Sequence, residues 1–328
     1  MPGVAVRYAS GIAAALLLAS GSARAEWILR EESIMGTRCA VELWSEDRAA
    51  GEASVTAVFD EFRRVDRLMS TYKPDSELSR VNAGAAKAPV RVSRELYDLL
   101  ATSIEYSKLT RGAFDITYAS VGYLYDYRAG VHPDDAAIAK ALPGINWRHL
   151  QLQPKSLSVR FTRPGMRVDL GGIGKGHAVD RGIAVLQQRG VERAMVNAGG
   201  DTRIIGDRFG RPWIVGIRNP DDGGKVALRL PLTDTAISTS GDYERYFEED
   251  GVRYHHILDP QTGKSARKVR SVTILADTAT RTDALTKSVF IMGAQDGIAF
   301  IDTLTDVDAI AIDPVGKVYY SKGLAPPP

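Results

Sequence analysis

The chain reads as an α+β protein with mixed and antiparallel sheets. Three observations lead there. Hairpin-like strand pairs fill residues 149–161 and 202–258; strong helical periodicity is confined to a few stretches; and only Val168–Gly199 carries a strand, helix, strand order. One such unit is too few for a doubly wound sheet.

Taken in order, residues 34–46 predict an early strand entered through a glycine turn. Glu52–Leu68 then places Val55, Val58, Phe59, Phe62, Val65 and Leu68 at spacings of three and four, which gives a helix one apolar face. Ser70–Asn82 is polar and turn-rich. Ser93–Leu109 predicts a second helix, with Leu96, Leu99, Leu100, Ile104 and Tyr106 for its buried side. Gly112–Tyr127, aromatic and glycine-bearing, suits a pocket wall. A short helix is expected between Pro133 and Leu142, closed by Pro143-Gly144, followed by a hairpin of His149–Gln153 and Ser156–Phe161. A strand ending at Asp169-Leu170 leads through Gly171–Gly176 into a helix from about His177 to Gln188, then a strand at Ala194–Asn197. Further strands are expected at Thr202–Gly206, Trp213–Arg218, Val226–Pro231, Gly251–Leu258 and Val269–Leu275. A helix at Thr282–Met292 and strands at Ala309–Ile312 and Val318–Ser321 complete the pattern.

Composition narrows the classes of function. Arg7, the apolar run Gly11–Ala19 and Ala23-Arg24-Ala25 read as a signal peptide, residues 1–25, whose cleavage leaves Glu26 first in the mature chain. Residues 26–322 then form one domain of two packed lobes, and 323–328 a loose tail. Losing Arg7 and Arg24 leaves 40 basic against 40 acidic side chains, so there is no bulk attraction to nucleic acid or anionic lipid. Cys39 is the sole cysteine, which excludes an internal disulfide and a thiol redox pair.

Several segments could carry chemistry. Gly171-Gly-Ile-Gly-Lys-Gly176 can bring backbone amides and the Lys175 charge to a phosphate, though it has neither P-loop nor dinucleotide-fold spacing. Glycines serving a tight structural crossing are the alternative. Asn197-Ala-Gly-Gly-Asp201 offers a carboxylate for a ribose or a loop amide, or a capped turn. The 238–243 loop, Ser-Thr-Ser-Gly-Asp-Tyr, suits diphosphate or ribose contacts, or helix capping. His255 and His256, adjacent in an extended segment, face opposite ways, so one can meet a cavity while the other packs. Asp283 at a helix start fits a cap better than a hard-metal ligand on sequence alone.

Eight of these segments, in order, resemble the FAD:protein FMN transferase (ApbE) family. They are Met35-Gly-Thr37, Ser70–Asn82, Gly112–Thr117, Val168–Gly176 with Asp180, Asn197–Asp201, Thr239–Asp242, His255–Gly263 and Thr282–Leu285. The resemblance covers about residues 34–300. It implies a T-shaped fold with FAD in a cleft between two lobes, and a periplasmic enzyme that cleaves FAD, releases AMP and attaches FMN to a Thr or Ser of a membrane-associated redox partner, such as a regulator of nitrous-oxide reduction. A non-catalytic flavin carrier is the alternative; a monomer or weak dimer is expected. Positions matching the family's flavin site are Met35, Tyr72, Ser76, Asn82, Phe114, Asp115, Lys175, Asp180, Gly200, Ser240, Gly241 and His256. The Gly174 carbonyl and the Asp283 carboxylate match its Mg²⁺ contacts. His256 is the implied base or hydroxyl-orienting group, and Lys175 the diphosphate clamp. Two positions depart from the family: Lys287 stands where a metal-binding threonine is usual, and Gly174 where alanine is common.

Overall fold

A computed structural model describes residues 25–220, 222 and 225–324; the expected signal segment and the end of the tail lie outside them. The chain opens with strands β1 (Glu26–Ile34) and β2 (Thr37–Ser45), joined by Met35-Gly36, both with positive φ. A two-residue turn of that hand matches the twist of the strands it joins. Alternation puts Ile28, Ile34, Cys39, Val41 and Leu43 in the core. Helix α1 (Arg48–Met69) begins at Asp47, whose carboxylate accepts the Ala49 and Ala50 amides, and it buries Val55, Val58, Phe59, Phe62, Val65 and Met69. Leu68, expected inside, is only half-buried because the stripe ends on Met69.

The following segment contains α2 (Glu77–Gly84), β3 (Val90–Arg91), α3 (Arg94–Leu109), α4 (Ala119–Gly122), α5 (Asp135–Ala141), β4 (Leu150–Gln153) and β5 (Ser158–Phe161). Helix α6 (Gly174–Gln188) leads to β6 (Ala194–Ala198), β7 (Asp201–Ile205), β8 (Trp213–Arg218), β9 (Val226–Leu232), β10 (Ala236–Gly241), β11 (Tyr246–Glu249), β12 (Val252–His255) and β13 (Ser271–Ala276). Then come α7 (Ala279–Met292), α8 (Ala294–Ile301), β14 (Asp308–Ile312) and β15 (Val318–Tyr320).

One antiparallel sheet of eight strands, ordered β1-β2-β6-β7-β10-β13-β14-β15, carries the α+β architecture. Helices α1, α6, α7 and α8 pack in that sequence, each against the strands beneath it, so helix order follows strand order. The main core lies between this layer and the sheet, around Phe59, Phe62, Ile183 and Leu186, and continues under α7 around Val272, Phe290 and Ile274. The small sheet β3-β5-β4 and the ribbons β8-β9 and β11-β12 stand apart from the large sheet.

Four expectations need correction. Val168–Leu170 is not a strand. Its backbone is bracketed by Asn82, whose Oδ1 accepts the Val168 amide at 2.8 Å and whose Nδ2 donates to the Val168 carbonyl at 2.9 Å, so a side chain does the work of a neighbouring strand. Residues 238–241, read as loop, lie in β10, because their hydroxyls find buried partners in the core. Ser70–Asn82 ends in α2, whose first turn Ser76 caps by accepting the Ser79 amide. The helix expected from Thr282 starts earlier, at Ala279, so Asp283 is no cap.

Candidate active site

Helices α6 and α7 cross at Gly176. A Cβ on this residue would lie 2.2 Å from the Ala279 carbonyl oxygen and 2.8 Å from Cβ of Asp283. Only glycine permits that approach, and it lets the Gly176 amide donate to Asp283 Oδ2 at 3.1 Å. The glycine-rich segment therefore serves a tight crossing, and the crossing gathers charge.

Four charged groups meet there. Lys175 donates to Asp201 Oδ2 and lies 3.6 Å from Asp283 Oδ2, while Lys287, one turn along α7, donates to Asp283 Oδ1. Both carboxylates are buried, Asp283 at 0% and Asp201 at 1% side-chain exposure. Burial works against the charge on Asp283, yet Lys175 and Lys287 outweigh it and hold the carboxyl below its ordinary range. Asp201 goes the other way, raised by burial and by its neighbour Asp283. Burial alone would lower the Lys175 pKa, but the two carboxylates keep its ammonium well above the usual lysine range. Asp201 Oδ1 is buried and has no hydrogen-bond donor among the described residues.

Helix α7 is fixed from two sides. Ser238 Oγ pairs with Thr282 Oγ1 at 2.7 Å, and Ser240 Oγ donates to Thr286 Oγ1 at 2.9 Å, matching alternate strand residues to successive helix turns. Asp180 accepts the Ala279 and Thr280 amides at 2.9 and 2.8 Å, the Thr280 hydroxyl at 2.6 Å and Arg203 at 2.8 Å. The capping role expected of Asp283 thus belongs to Asp180, and the hydroxyls expected to face phosphate are tied to α7.

The two histidines behave differently. His255 is packed: its Nε2 lies 2.6 Å from the Ala266 carbonyl, and its Nδ1 accepts the Ile257 amide. His256 keeps a buried Nδ1 with no partner. Burial, then the Lys287 and Arg245 charges, push its pKa down to about 3, so the ring is neutral and offers a lone pair.

The remaining expected site residues divide by what occupies their polar atoms. Asp115 accepts the Thr117 amide and hydroxyl and the Trp147 amide, with its pKa raised by burial. Ser76 and Asn82 hold backbone, as described. Gly174 opens α6 with its amide on the Leu170 carbonyl, and the Gly200 carbonyl accepts the Thr239 amide. Gly241 ends β10. Phe114 is buried with its ring edge on Tyr106 and 3.4 Å from where a Cβ on Gly172 would lie, which brings it to the cluster. Tyr72 stands 90% exposed, a large ring without a packing partner. Met35 lies in the β1–β2 turn, where Arg245 Nη2 donates to the Gly36 carbonyl at 3.3 Å. Arg245 is the residue that sequence reasoning missed: its charge acts on both Lys175 and His256, though it lies outside every glycine-rich or histidine motif.

Comparison with known proteins identifies the family. The ApbE family profile matches residues 35–311. The chain is 35% identical over 324 residues to the FAD:protein FMN transferase of Treponema pallidum, covering 93% of this chain and 89% of that one. The Vibrio cholerae FAD:protein FMN transferase is 35% identical over 298 residues, covering 88% of each. Among solved structures, the ApbE protein of Thermotoga maritima superposes with a TM-score of 0.85 at 32% identity, over 91% of this chain and 98% of that one. On sequence, fold and the ordered motifs around the α6–α7 crossing, the chain belongs to the ApbE family.

Proposed function

We propose that this protein is an FAD:protein FMN transferase: it binds FAD, joins the FMN half to a Thr or Ser hydroxyl of a protein acceptor and releases AMP. The observation that carries the reading is the meeting of Lys175 and Lys287 on Asp283 at the start of α6, with a neutral His256 within reach of the Lys287 charge. Ammonium groups attract a diphosphate. In the transfer, the acceptor oxygen forms a bond to the phosphorus of the FMN half while the bond from that phosphorus to the AMP oxygen breaks. The hydroxyl proton needs an acceptor, and His256 Nδ1 is the unpartnered base at hand. Lys175 and Lys287 offset the negative charge that builds on the bridging oxygen as AMP departs.

The Mg²⁺ ion implied by the resemblance does not fit the site as its side chains stand. Both Asp283 oxygens are taken by protein donors, and among the described residues no cluster of three or more acidic, histidine or cysteine side chains forms. No step is therefore routed through a metal.

Export to the periplasm belongs to the same proposal. Among the described residues, strand pairing begins at Glu26 opposite Ser45, so a mature chain starting at Glu26 keeps the whole of β1. We further propose a membrane-associated acceptor and a monomer or weak dimer.

Purified protein, FAD and an acceptor domain carrying a Thr or Ser, read by intact mass with and without Mg²⁺, test the activity. The acceptor should gain the mass of an esterified FMN as AMP appears. Bound FAD with no transfer to any acceptor would favour a flavin carrier instead.

A further inference from the structure

We infer that Lys287 is a tethered cation, and that this chain holds the diphosphate of FAD with two ammonium groups and no divalent metal. The inference rests on the functional reading above and deepens it. Its basis is how completely Lys287 is built into the site.

The stem comes first. Lys287 Cγ and Cδ lie 3.4 and 3.9 Å from where a Cβ on Gly172 would stand, with Phe114 Cε2 at 3.4 Å from the same point. The aliphatic chain therefore lies across the bare backbone of Gly172 beside an aromatic edge. Only 17% of the Lys287 side chain meets solvent. A lysine swung out into water would have its stem free and its head hydrated.

The head group is held as firmly. It donates to Asp283 Oδ1 and lies 3.2 Å from Thr286 Oγ1. The other oxygen of Asp283 is shared by the Gly176 amide at 3.1 Å and Lys175 at 3.6 Å. A dication could reach Asp283 only by displacing Lys287, which would leave an ammonium without its carboxylate beside two new positive charges. In a partly buried site that repulsion is weakly screened. The ammonium cannot ligate the ion, because it has no lone pair.

What remains suits an anion. Asp201, Lys175, Asp283 and Lys287 balance in charge when all are ionised, yet each lysine has three N–H donors; Lys175 directs one to Asp201 and Lys287 two, to Asp283 and Thr286, which leaves donors for phosphate oxygens. Lysine binds phosphate as a point charge, so two of them on neighbouring helices can bracket a diphosphate. Arg245 adds a third positive charge nearby.

The test is a fluorescence titration of FAD into wild type, Lys287→Thr and Lys287→Gln, in EDTA and in excess MgCl₂, with calorimetric titration of MgCl₂ into each FAD-loaded protein. Thermal melts establish that the variants fold. Wild type should bind FAD equally, within about twofold, in both buffers and show no saturable Mg²⁺ heat, whereas Lys287→Gln in EDTA should bind FAD about tenfold more weakly or worse. Lys287→Thr should regain tight FAD binding only with Mg²⁺ and show a saturable heat. The inference is overturned if EDTA weakens wild-type FAD binding about tenfold, or if wild type and Lys287→Thr respond alike to Mg²⁺. Wild type that binds no FAD in either buffer defeats the functional reading itself, a result distinct from metal-dependent binding.

Discussion

Replacing Gly176 with alanine tests whether the α6–α7 crossing sets the site. The added Cβ would sit 2.2 Å from the Ala279 carbonyl oxygen, where ordinary contact begins at 3.4 Å, so the helices must part by about 1.2 Å. No flexible side chain can yield instead, because the obstructing atoms are backbone at the start of α7. That backbone is held by Asp180 at the helix end and by Ser238 and Ser240 along its flank. Overpacking of this kind costs about 1–3 kcal/mol, and backbone resistance places this case near the upper end. Stretching the hydrogen bond from the Gly176 amide to the buried Asp283 adds about 1–2 kcal/mol. Alanine returns about 1 kcal/mol through its helix propensity. The net expectation is a loss of about 2–4 kcal/mol, read as a lower midpoint in urea denaturation at unchanged slope. A variant as stable as wild type, or more stable by the propensity gain alone, would refute the reasoning and show that α7 yields easily at its N-terminus.

Two further outcomes follow. His256 is held at a pKa of about 3 in the folded protein against 6.5 for a free imidazole, so between those values the unfolded chain binds a proton that the native state does not. Its stabilising contribution is complete above pH 6.5 and is lost as pH falls toward about 3; urea unfolding across that range should show a shallower pH dependence for His256→Gln, and an unchanged slope would contradict the assignment. N-terminal sequencing of protein recovered from the periplasm of a Gram-negative host should begin at Glu26, and an intact Met1 in the cytosol would count against export.

Much of this molecule was legible in its sequence where periodicity is strong. Helix α1, the hairpin β4–β5 and the strand β8 fall near where spacing put them. Strand β1 was missed: in Glu26–Ile34 the charged Arg30, Glu31 and Glu32 interrupt the apolar alternation, and partners across the sheet supply the order instead. Helix α8 was missed because Gly293, at φ 102°, ends one helix and starts the next without a separating loop. At the site, Asp283 and Lys287 stand four apart on one helix, a spacing that brings such a pair onto one face, and the two are paired. The contact of Lys175 with Asp201 joins α6 to β7 across the fold, and no local pattern encodes it. Likewise, the hydroxyls of 238–240 look alike whether they face a ligand or a helix; only the tertiary partner distinguishes the two.

The order of strands in the large sheet also sorts its pairings into local and long-range ones. From β6 to β15 sheet neighbours are joined by shorter connections, the ribbons β8-β9 and β11-β12 and the helix pair α7-α8 being detours of similar length. The seam between β2 and β6 is different, since Leu43 stands opposite Ala194 and everything from α1 to α6 must be looped out between them. Closing so long a loop carries an entropic cost that local contacts do not share, and nonlocal pairings slow folding. Residues 201, 283 and 287 lie on the C-terminal side of that detour, and residue 175 lies in its last helix, α6. None of the four cluster residues lies on the β1–β2 hairpin, so closing that seam adds a neighbour to the site, the Met35-Gly36 turn beside Arg245, and no member of the cluster itself.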